Sequence, residues 1–286
     1  MQYSEQHSEQ YSEGWFQGQR NIRLFHRSWV PDGNVRAVLL IVHGLFEHSG
    51  RYIGLADYFV SQGFAVCSFD LRGHGKSDGL RGYVNKFPDF IFDLSVYHGL
   101  IRSTFPQQPI FMFGHSIGGT IATGYATDRQ QDLSGLILSA PTIKPGASVT
   151  SFSIASARIL SVLLPKMGVT PIDASAISRD PGVVEAYRND PLVYHGKIRA
   201  RLGAELIDTM QKLLPVKMGQ IELPVLVMHG TLDRLSNPEG CSLLYKSVKS
   251  KDKTLKSYEG FYHEIFNEPE KTQVLTDMGQ WIISHL

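Results

Sequence analysis

An apolar, strand-like run leads directly into a Gly-x-Ser-x-Gly pentapeptide, and a helix-compatible stretch follows it. The run covers residues 109–113, the pentapeptide 114–118 and the helical stretch 119–127. At such a junction the serine sits on a sharp, strained turn that exposes its hydroxyl at the edge of a sheet. Side chains at positions 114 and 118 would collide with neighbouring backbone, so glycine is required there. The pattern predicts an α/β sheet with Ser116 as a candidate nucleophile, rather than an ordinary glycine-serine loop.

Strand-like and helix-like segments alternate from residue 35 onward. Runs typical of strands cover residues 35–42, 64–69, 109–113, 133–140, 223–229 and 253–258. Stretches typical of helices cover residues 51–62, 87–104, 119–127, 238–250 and 270–286. This alternation predicts an α/β fold with a mostly parallel central sheet that helices cover on both faces. A turn cluster at 31–34 also predicts an antiparallel hairpin between residues 15–30 and 35–42.

The alternation stops at Pro141, and residues 141–218 contain short helical patches and several prolines but no strong strand. We therefore predict four regions. They are a flexible polar N-terminal tail (1–14), a first part of the core (15–140), a helical cap inserted above the sheet (141–218) and a second part of the core (219–286). A chain of 286 residues suits one large domain with such an insertion.

Composition narrows the function classes. A net charge of +1 offers no electrostatic attraction for nucleic acid or an acidic partner. The two cysteines and eleven scattered histidines lack the spacing of a disulfide framework or a metal site, so no metal or cofactor is predicted. No stretch has the length and apolarity of a membrane span, and the N-terminus lacks the apolar core of a signal peptide. A cytoplasmic protein is predicted, with peripheral membrane contact and the oligomeric state left open.

A nucleophilic serine needs a base to accept its proton and a carboxylate to orient that base. After an elbow of this kind, the acid and then the base follow the serine along the chain. Asp233 follows the run 223–229 and His263 follows the run 253–258, and sites of parallel sheets collect at the carboxyl ends of strands. We assign Asp233 as the orienting acid and His263 as the general base. A helix cap is the alternative role for Asp233.

The tetrahedral intermediate of acyl transfer also needs backbone N–H donors. One donor should be the residue after the nucleophile, Ile117, and the other should come from the loop after the run 35–42, where Leu45 is the candidate. His115, directly before the serine, is interpreted as a loop and packing residue.

Several further segments match one known family. They are residues 43–52, 70–77, 114–119, 139–141, 189–192 and 252–260, together with Asp233 and Arg234. Through them nearly the whole chain resembles the monoacylglycerol lipases of the α/β-hydrolase superfamily. The resemblance implies the α/β-hydrolase fold, with the insertion 141–218 as a cap that guards an acyl tunnel and docks at membranes.

The resemblance also implies substrate-binding residues. Glu47 and Arg51 match positions near the glycerol head group, and Tyr187 matches a cap tyrosine near the polar end of the site. The chain departs from the family at Phe46, where a small residue is usual and a phenylalanine could narrow the pocket. It departs again at Phe266, where the mammalian enzymes carry a histidine that helps to recognise glycerol. These two departures leave a strict preference for monoacylglycerols open.

One segment of the cap, residues 152–164, is almost wholly apolar and carries Arg158 as its single charge. Phe152, Ala155, Ile159 and Leu163 share one helical face. Two interpretations stay open. The helix is either buried between cap and core, or it forms a lid that admits acyl chains and touches lipid.

The site and the resemblance together indicate a serine hydrolase whose substrate is a small lipid ester. The predicted reaction is cleavage of monoacylglycerols to free fatty acid and glycerol through an acyl-enzyme. The alternatives are a lysophospholipase or a broad-specificity carboxylesterase. A hydrolase-fold lipid-binding protein without turnover is a third class, against which the intact set of Ser116, Asp233 and His263 argues.

Overall fold

The structure is a computed structural model that describes residues 10–145 and 150–286, without the side chains of 151–153. Its strands are β1 (Tyr11–Gln17), β2 (Arg23–Trp29), β3 (Ala37–Val42), β4 (Phe64–Phe69), β5 (Ile110–His115), β6 (Gly135–Ser139), β7 (Gly168–Pro171), β8 (Lys197–Arg199), β9 (Val225–Gly230) and β10 (Lys253–Tyr258). Its α-helices are α1 (Ile53–Val60), α2 (Pro88–Thr104), α3 (Ile117–Arg129), α4 (Ser151–Leu163), α5 (Pro181–Asn189), α6 (Ala200–Asp208), α7 (Leu214–Lys217), α8 (Pro238–Ser247) and α9 (Lys271–Ile283). A π-helical turn, Thr209–Leu213, joins α6 to α7.

Eight strands form the central sheet in the order β1-β2-β4-β3-β5-β6-β9-β10. The strands from β4 to β10 in this order pair in parallel, whereas β1 and β2 are antiparallel to their neighbours. Strand β3 is wholly buried, and its side chains alternate between two apolar cores, with Val38 and Leu40 in one and Leu39 and Ile41 in the other. Helices cover both faces, which confirms the predicted α/β fold.

The predicted hairpin between 15–30 and 35–42 is wrong. Strand β2 pairs antiparallel with β1 and β4, so that Trp29 lies opposite Val66, and β3 instead pairs in parallel with β4 and β5. The physical reason is a turn inside 15–30, where Arg20 and Asn21 adopt positive φ angles of 62° and 57° and reverse the chain. The strand β1 begins at Tyr11, within the range expected for the tail, while residues 1–9 lie outside the described part of the chain.

The insertion between β6 and β9 contains helices α4 to α7 and a small antiparallel sheet of β7 and β8. Helices α4 and α6 run antiparallel. Arg158 of α4 donates to Asp208 at the end of α6 (2.7 Å), and Arg201 at the start of α6 donates to Ser161 of α4 (3.1 Å). None of the helices among the described residues is long and apolar enough to cross a bilayer.

Helix α4 has two different apolar faces. Ala157 and Leu160 contribute to the wall of a cavity, whereas Ile159, Val162 and Leu163 are exposed, the last two by 73% and 70%. The helix is therefore neither wholly buried nor wholly exposed, and its contact with lipid stays a prediction. Phe152, predicted on the same face as Ile159, has no described side chain.

Candidate active site

Ser116 stands between the end of β5 and the start of α3. Its backbone has φ 54° and ψ −122°, a strained combination for any residue other than glycine. Two backbone hydrogen bonds stabilise this strained conformation. Ser116 N donates to Ser139 O (3.0 Å), and Thr142 N donates to Ser116 O (3.1 Å). The neighbouring strand β6 and the loop after it therefore fix the elbow.

The glycines of the elbow are required by close backbone approaches, as the sequence predicts. A Cβ atom on Gly114 would lie 2.6 Å from the carbonyl oxygen of Gly118, and one on Gly118 would lie 2.1 Å from that of Val42. Both distances are far below van der Waals contact. A side chain at position 118 would push the serine turn away from β3, and one at position 114 would push the start of α3 away from β5.

The loops after β9 and β10 bring the predicted acid and base together. His263 Nδ1 lies 2.8 Å from Asp233 Oδ2. The other carboxylate oxygen, Asp233 Oδ1, accepts hydrogen bonds from the amides of Leu235 (2.8 Å) and Ser236 (3.0 Å). Asp233 is therefore held on both oxygens and leaves the Nε2 atom of His263 for chemistry.

In the Asp233–His263 pair, each side chain stabilises the charged form of the other. Burial opposes ionisation of Asp233, but His263 and the two amides outweigh it and hold the pKa of Asp233 below its ordinary value of 3.8. Burial also disfavours a charged His263, yet Asp233, then Glu264 and Glu47, raise the pKa of His263 above 6.5. An imidazolium that forms at His263 during a reaction is thus stabilised.

In this resting geometry the serine hydroxyl contacts a different partner. Ser116 Oγ lies 3.4 Å from Thr142 Oγ1, which in turn lies 3.1 Å from Ser236 Oγ. Among the described residues, no hydrogen bond joins Ser116 Oγ to His263. Such bonds often tighten only once a substrate is bound. The contact with Thr142 is long and therefore weak, so the hydroxyl can be released easily.

Ser116 and His263 open onto a cavity of about 630 Å³. Leu45 and Ile117, the predicted oxyanion residues, both line it, and Ile117 is the first residue of α3, where amides lack intrahelical acceptors. The wall away from the sheet consists mainly of apolar cap residues. They come from α4, β7, β8, α6 and the π-helical turn: Ala157, Leu160, Val169, Ile172, Ile198, Leu206, Ile207 and Met210.

A buried charge cluster lies at the core end of the cavity. Arg51 donates to Glu47 (2.9 Å) and makes a two-point contact with Glu264 (2.5 and 2.8 Å). Its guanidinium also lies 4.8 Å from the ring centre of Tyr187 in α5 of the cap. Glu47, Glu264 and Tyr187 line the cavity. Arg51 therefore ties together the loop after β3, the loop that carries the base, and the cap.

Glu47 also fixes the loop that carries the predicted oxyanion residue Leu45. Its Oε1 atom accepts hydrogen bonds from the amide of Gly44 (2.5 Å) and the hydroxyl of Tyr52 (2.7 Å). Gly44 immediately precedes Leu45, so this carboxylate fixes the backbone next to the predicted donor. Burial, reinforced by the nearby Glu264, raises the pKa of Glu47, whereas for Glu264 Arg51 outweighs burial and lowers the pKa.

Of the five residues that the resemblance marked near the substrate, three do not line the cavity: Arg51, which contacts the lining residues Glu47 and Glu264, and the two departures Phe46 and Phe266. Phe46 is buried at a φ of 69° and packs edge-on against Tyr194, so its ring points away from the cavity wall. Phe266 is buried between Tyr52 and Phe113 beneath the site. Neither belongs to the lining of the cavity. Both rings are packed into the protein instead, which corrects the expectations that Phe46 narrows the pocket and that Phe266 stands in the site at the position of a glycerol-recognising histidine.

Sequence reasoning missed three residues that the structure brings to this site. Glu264 directly follows the base, and a carboxylate beside a histidine could have signalled a buried ion pair. Thr142 gave no signal, because its role depends on a loop that folds back onto the elbow. His115 was interpreted as a packing residue, yet it lines the cavity and its ring centre lies 4.7 Å from that of His263. Burial, then His263, lowers the pKa of His115 to about 3, so His115 stays neutral.

Comparisons with known proteins show which family the chain belongs to. The sequence profile of the family described as "Serine aminopeptidase, S33" matches residues 33–270. The monoacylglycerol lipase of Mycolicibacterium smegmatis is 39% identical over 95% of this chain and 96% of its own length. The human monoglyceride lipase is 35% identical over 91% of this chain and 86% of its own length.

A solved structure extends the likeness to three dimensions. The monoacylglycerol lipase of Paleococcus ferrophilus has a TM-score of 0.82 and 33% identity, covering 92% of this chain and 99% of its own. The fold, the strand-to-helix serine turn and these matches lead to one conclusion: the chain belongs to the monoacylglycerol lipase family of the α/β-hydrolase superfamily and is a carboxylic ester hydrolase.

Proposed function

We propose that this enzyme hydrolyses monoacylglycerols to a free fatty acid and glycerol, with Ser116, His263 and Asp233 as its catalytic triad. The observation that carries the proposal is the position of Ser116 and the Asp233-bound His263 on a cavity that is apolar on its cap side and polar on its core side. A single acyl chain suits the apolar side. A hydroxylated head group suits the polar side.

The proposed reaction starts when the hydroxyl of Ser116 leaves Thr142 and donates to His263 Nε2. Ser116 Oγ then attacks the ester carbonyl while His263 accepts its proton. The negative charge that develops on the carbonyl oxygen is received by the amides of Leu45 and Ile117. His263 then gives the proton to the departing glycerol oxygen. Glycerol leaves, and the acyl group stays bound to Ser116.

The second half of the reaction repeats the first with water as the nucleophile. His263 accepts a proton from water as the water oxygen attacks the acyl-Ser116 carbonyl, and it then returns this proton to Ser116 Oγ as the bond to Oγ breaks and the fatty acid is released. Asp233 keeps Nδ1 of His263 protonated throughout, so that Nε2 is the basic atom. At the polar end, Glu47, Arg51 and Tyr187 are proposed to form the head-group region, with Arg51 acting through the carboxylates that it positions.

A panel of leaving groups on one acyl chain tests the substrate proposal. 1-Oleoylglycerol, oleoyl lysophosphatidylcholine and ethyl oleate share the acyl half and differ only in the group beside Glu47. We expect the highest kcat/KM for the glycerol ester. Equal values for all three would instead support a broad-specificity carboxylesterase, and a preference for the phosphocholine ester would support a lysophospholipase.

Peripheral contact with a membrane is a second proposal, carried by the exposed face of α4. Ile159, Val162 and Leu163 are exposed on the cap and do not line the cavity, and such apolar patches on a surface helix favour an interface. The double variant Val162→Ser/Leu163→Ser should lose flotation with phosphatidylcholine vesicles. The control variant is Leu100→Ser, at an exposed position of α2 in the core, and it should float like the parent protein. Equal flotation of all three would refute this contact.

A further inference from the structure

Helix α6 contains a glycine that neither packing nor backbone conformation requires. Gly203 lies between Ala200 and Asp208, the ends of the helix, and glycine is among the least favourable residues in a helix interior. A Cβ atom built on Gly203 would meet only Ile198 Cγ2, at an ordinary 3.8 Å. Its φ angle is not positive. An alanine would fit here without strain and would favour the helix, so the missing side chain needs another explanation.

The position of Gly203 on the helix offers an explanation for the missing side chain. Gly203, Leu206, Ile207 and Met210 all line the cavity, and their spacing puts them on one stripe that follows the axis of α6. Three of these four residues are large. Gly203 is therefore the one member of this stripe that leaves the width of the cavity open.

The neighbouring helix supports this explanation. The hydrogen bond from Arg201 to Ser161 and the ion pair from Arg158 to Asp208 align α4 and α6 antiparallel. In this alignment Leu160 of α4, which also lines the cavity, lies at the level of Gly203. Because Leu160 already occupies part of the cavity at this level, the missing side chain at position 203 keeps the cavity wide there, whereas two large side chains would narrow it.

We infer that Gly203 determines the acyl-chain length that the enzyme accepts, by keeping the cavity wide beside α6 for the distal part of the chain. This inference rests on the proposed function in one respect, namely that the acyl chain occupies the cap side of the cavity. Short acyl groups end before this level. Long ones must pass it, so a side chain at position 203 discriminates by length alone.

The test uses p-nitrophenyl esters from C2 to C16, which share one leaving group. For Gly203→Leu we expect kcat/KM to fall by about ten- to a hundredfold for the long esters, from the steric conflict, and by less than about threefold for C2 and C4. Gly203→Ala should show a smaller loss in the same direction. The matched control is Gly99→Leu in exposed α2, where a side chain also meets open space, and its length profile should equal that of the parent.

Other outcomes overturn the inference. A loss of the same size for every ester length in Gly203→Leu and Gly203→Ala, or unchanged long-ester activity in Gly203→Leu, means that position 203 does not set the length. If a thermal unfolding measurement shows that Gly203→Leu is not folded, the test is the ester-length profile of Gly203→Ala compared with that of the parent. Because every ester has the same leaving group, the result does not depend on the glycerol preference, which the head-group panel tests separately.

Discussion

The two walls of the active-site cavity are built on different principles. On the core side, the proposed catalytic residues stand at the carboxyl ends of sheet strands and are fixed by hydrogen bonds and ion pairs, such as those of Asp233 and Glu47. On the cap side, α4 and α6 supply a mostly apolar wall of half-buried side chains. The difference teaches that polar contacts fix the side chains of the core wall, while the cap wall offers mainly shape; under the proposed function, the core wall would hold the reacting atoms and the cap wall would select the acyl chain. Changes in the core should therefore affect all esters alike, and changes in the cap should depend on chain length.

Loss of the nucleophile should give the largest effect. We expect Ser116→Ala to reduce kcat by about 10⁴- to 10⁶-fold for every ester length, because no other group replaces the attacking oxygen. The measurement is release of p-nitrophenol from C4 and C16 esters. Ser103→Ala, on exposed α2, is the control. Substantial activity in Ser116→Ala would refute the assignment of the nucleophile.

Loss of the orienting acid should come next. Asp233→Asn should lower kcat by about a thousandfold or more, since His263 loses both its orientation and the charge that stabilises its imidazolium. The base must be neutral to accept a proton, so parent activity should rise with pH through a midpoint above 6.5, and this midpoint should fall in Asp233→Asn. The pH profile of kcat/KM measures both. Asp252→Asn breaks an exposed Asp–His pair with His285 and should leave the midpoint in place.

The same pKa shifts predict how stability depends on pH. The lowered pKa of Asp233 means that its stabilising contribution is present above pH 3.8 and is lost as pH falls through the folded-state pKa. The raised pKa of His263 gives a contribution that is complete below pH 6.5 and is lost as pH rises through its folded-state pKa. Asp233→Asn should flatten both changes in denaturant titrations. Parent-like pH dependence in this variant would contradict the pairing.

Removal of the buried cation should act mainly on stability. In Arg51→Met, Glu47 and Glu264 remain buried without their partner, so we expect a loss of about 3–5 kcal/mol in the free energy of unfolding. The matched control Arg158→Met breaks an exposed ion pair with Asp208 and should cost only about 0–1 kcal/mol. Urea unfolding of both variants provides the comparison. Equal losses would mean that the cluster is not the support of the oxyanion loop inferred above.

The smallest effect should come from Thr142. Thr142→Val removes the resting partner of the Ser116 hydroxyl, and because that contact is long, we expect at most about a threefold rise in the rate of fluorophosphonate labelling. Thr142→Ser keeps a hydroxyl and should label like the parent. A large fall in Thr142→Val would show instead that Thr142 assists the reaction.

The sequence predicted most of the core side and little of the cap side. Alternation of strands and helices was enough for the sheet, and the order serine, acid, base was enough to select Asp233 and His263. The pairing of β2 with β4 was missed because pairing partners depend on turns whose geometry, as at Arg20, involves uncommon backbone angles. Phe46 and Phe266 were misplaced because a resemblance gives a position in the chain but not the direction of a side chain. Gly203 gave no sequence signal, since its meaning depends on its place in the cavity wall beside Leu160.

The central claim is that Ser116 forms the acyl-enzyme with a monoacylglycerol. In the most direct measurement, the parent enzyme is treated with a stoichiometric amount of a fluorophosphonate. Hydrolysis of 1-oleoylglycerol is then followed, and the label is located by peptide mass spectrometry. We predict one label per chain, on the peptide that contains Ser116, and a loss of hydrolysis in proportion to labelling. A label on any other residue, or hydrolysis that persists in the fully labelled enzyme, would contradict the account.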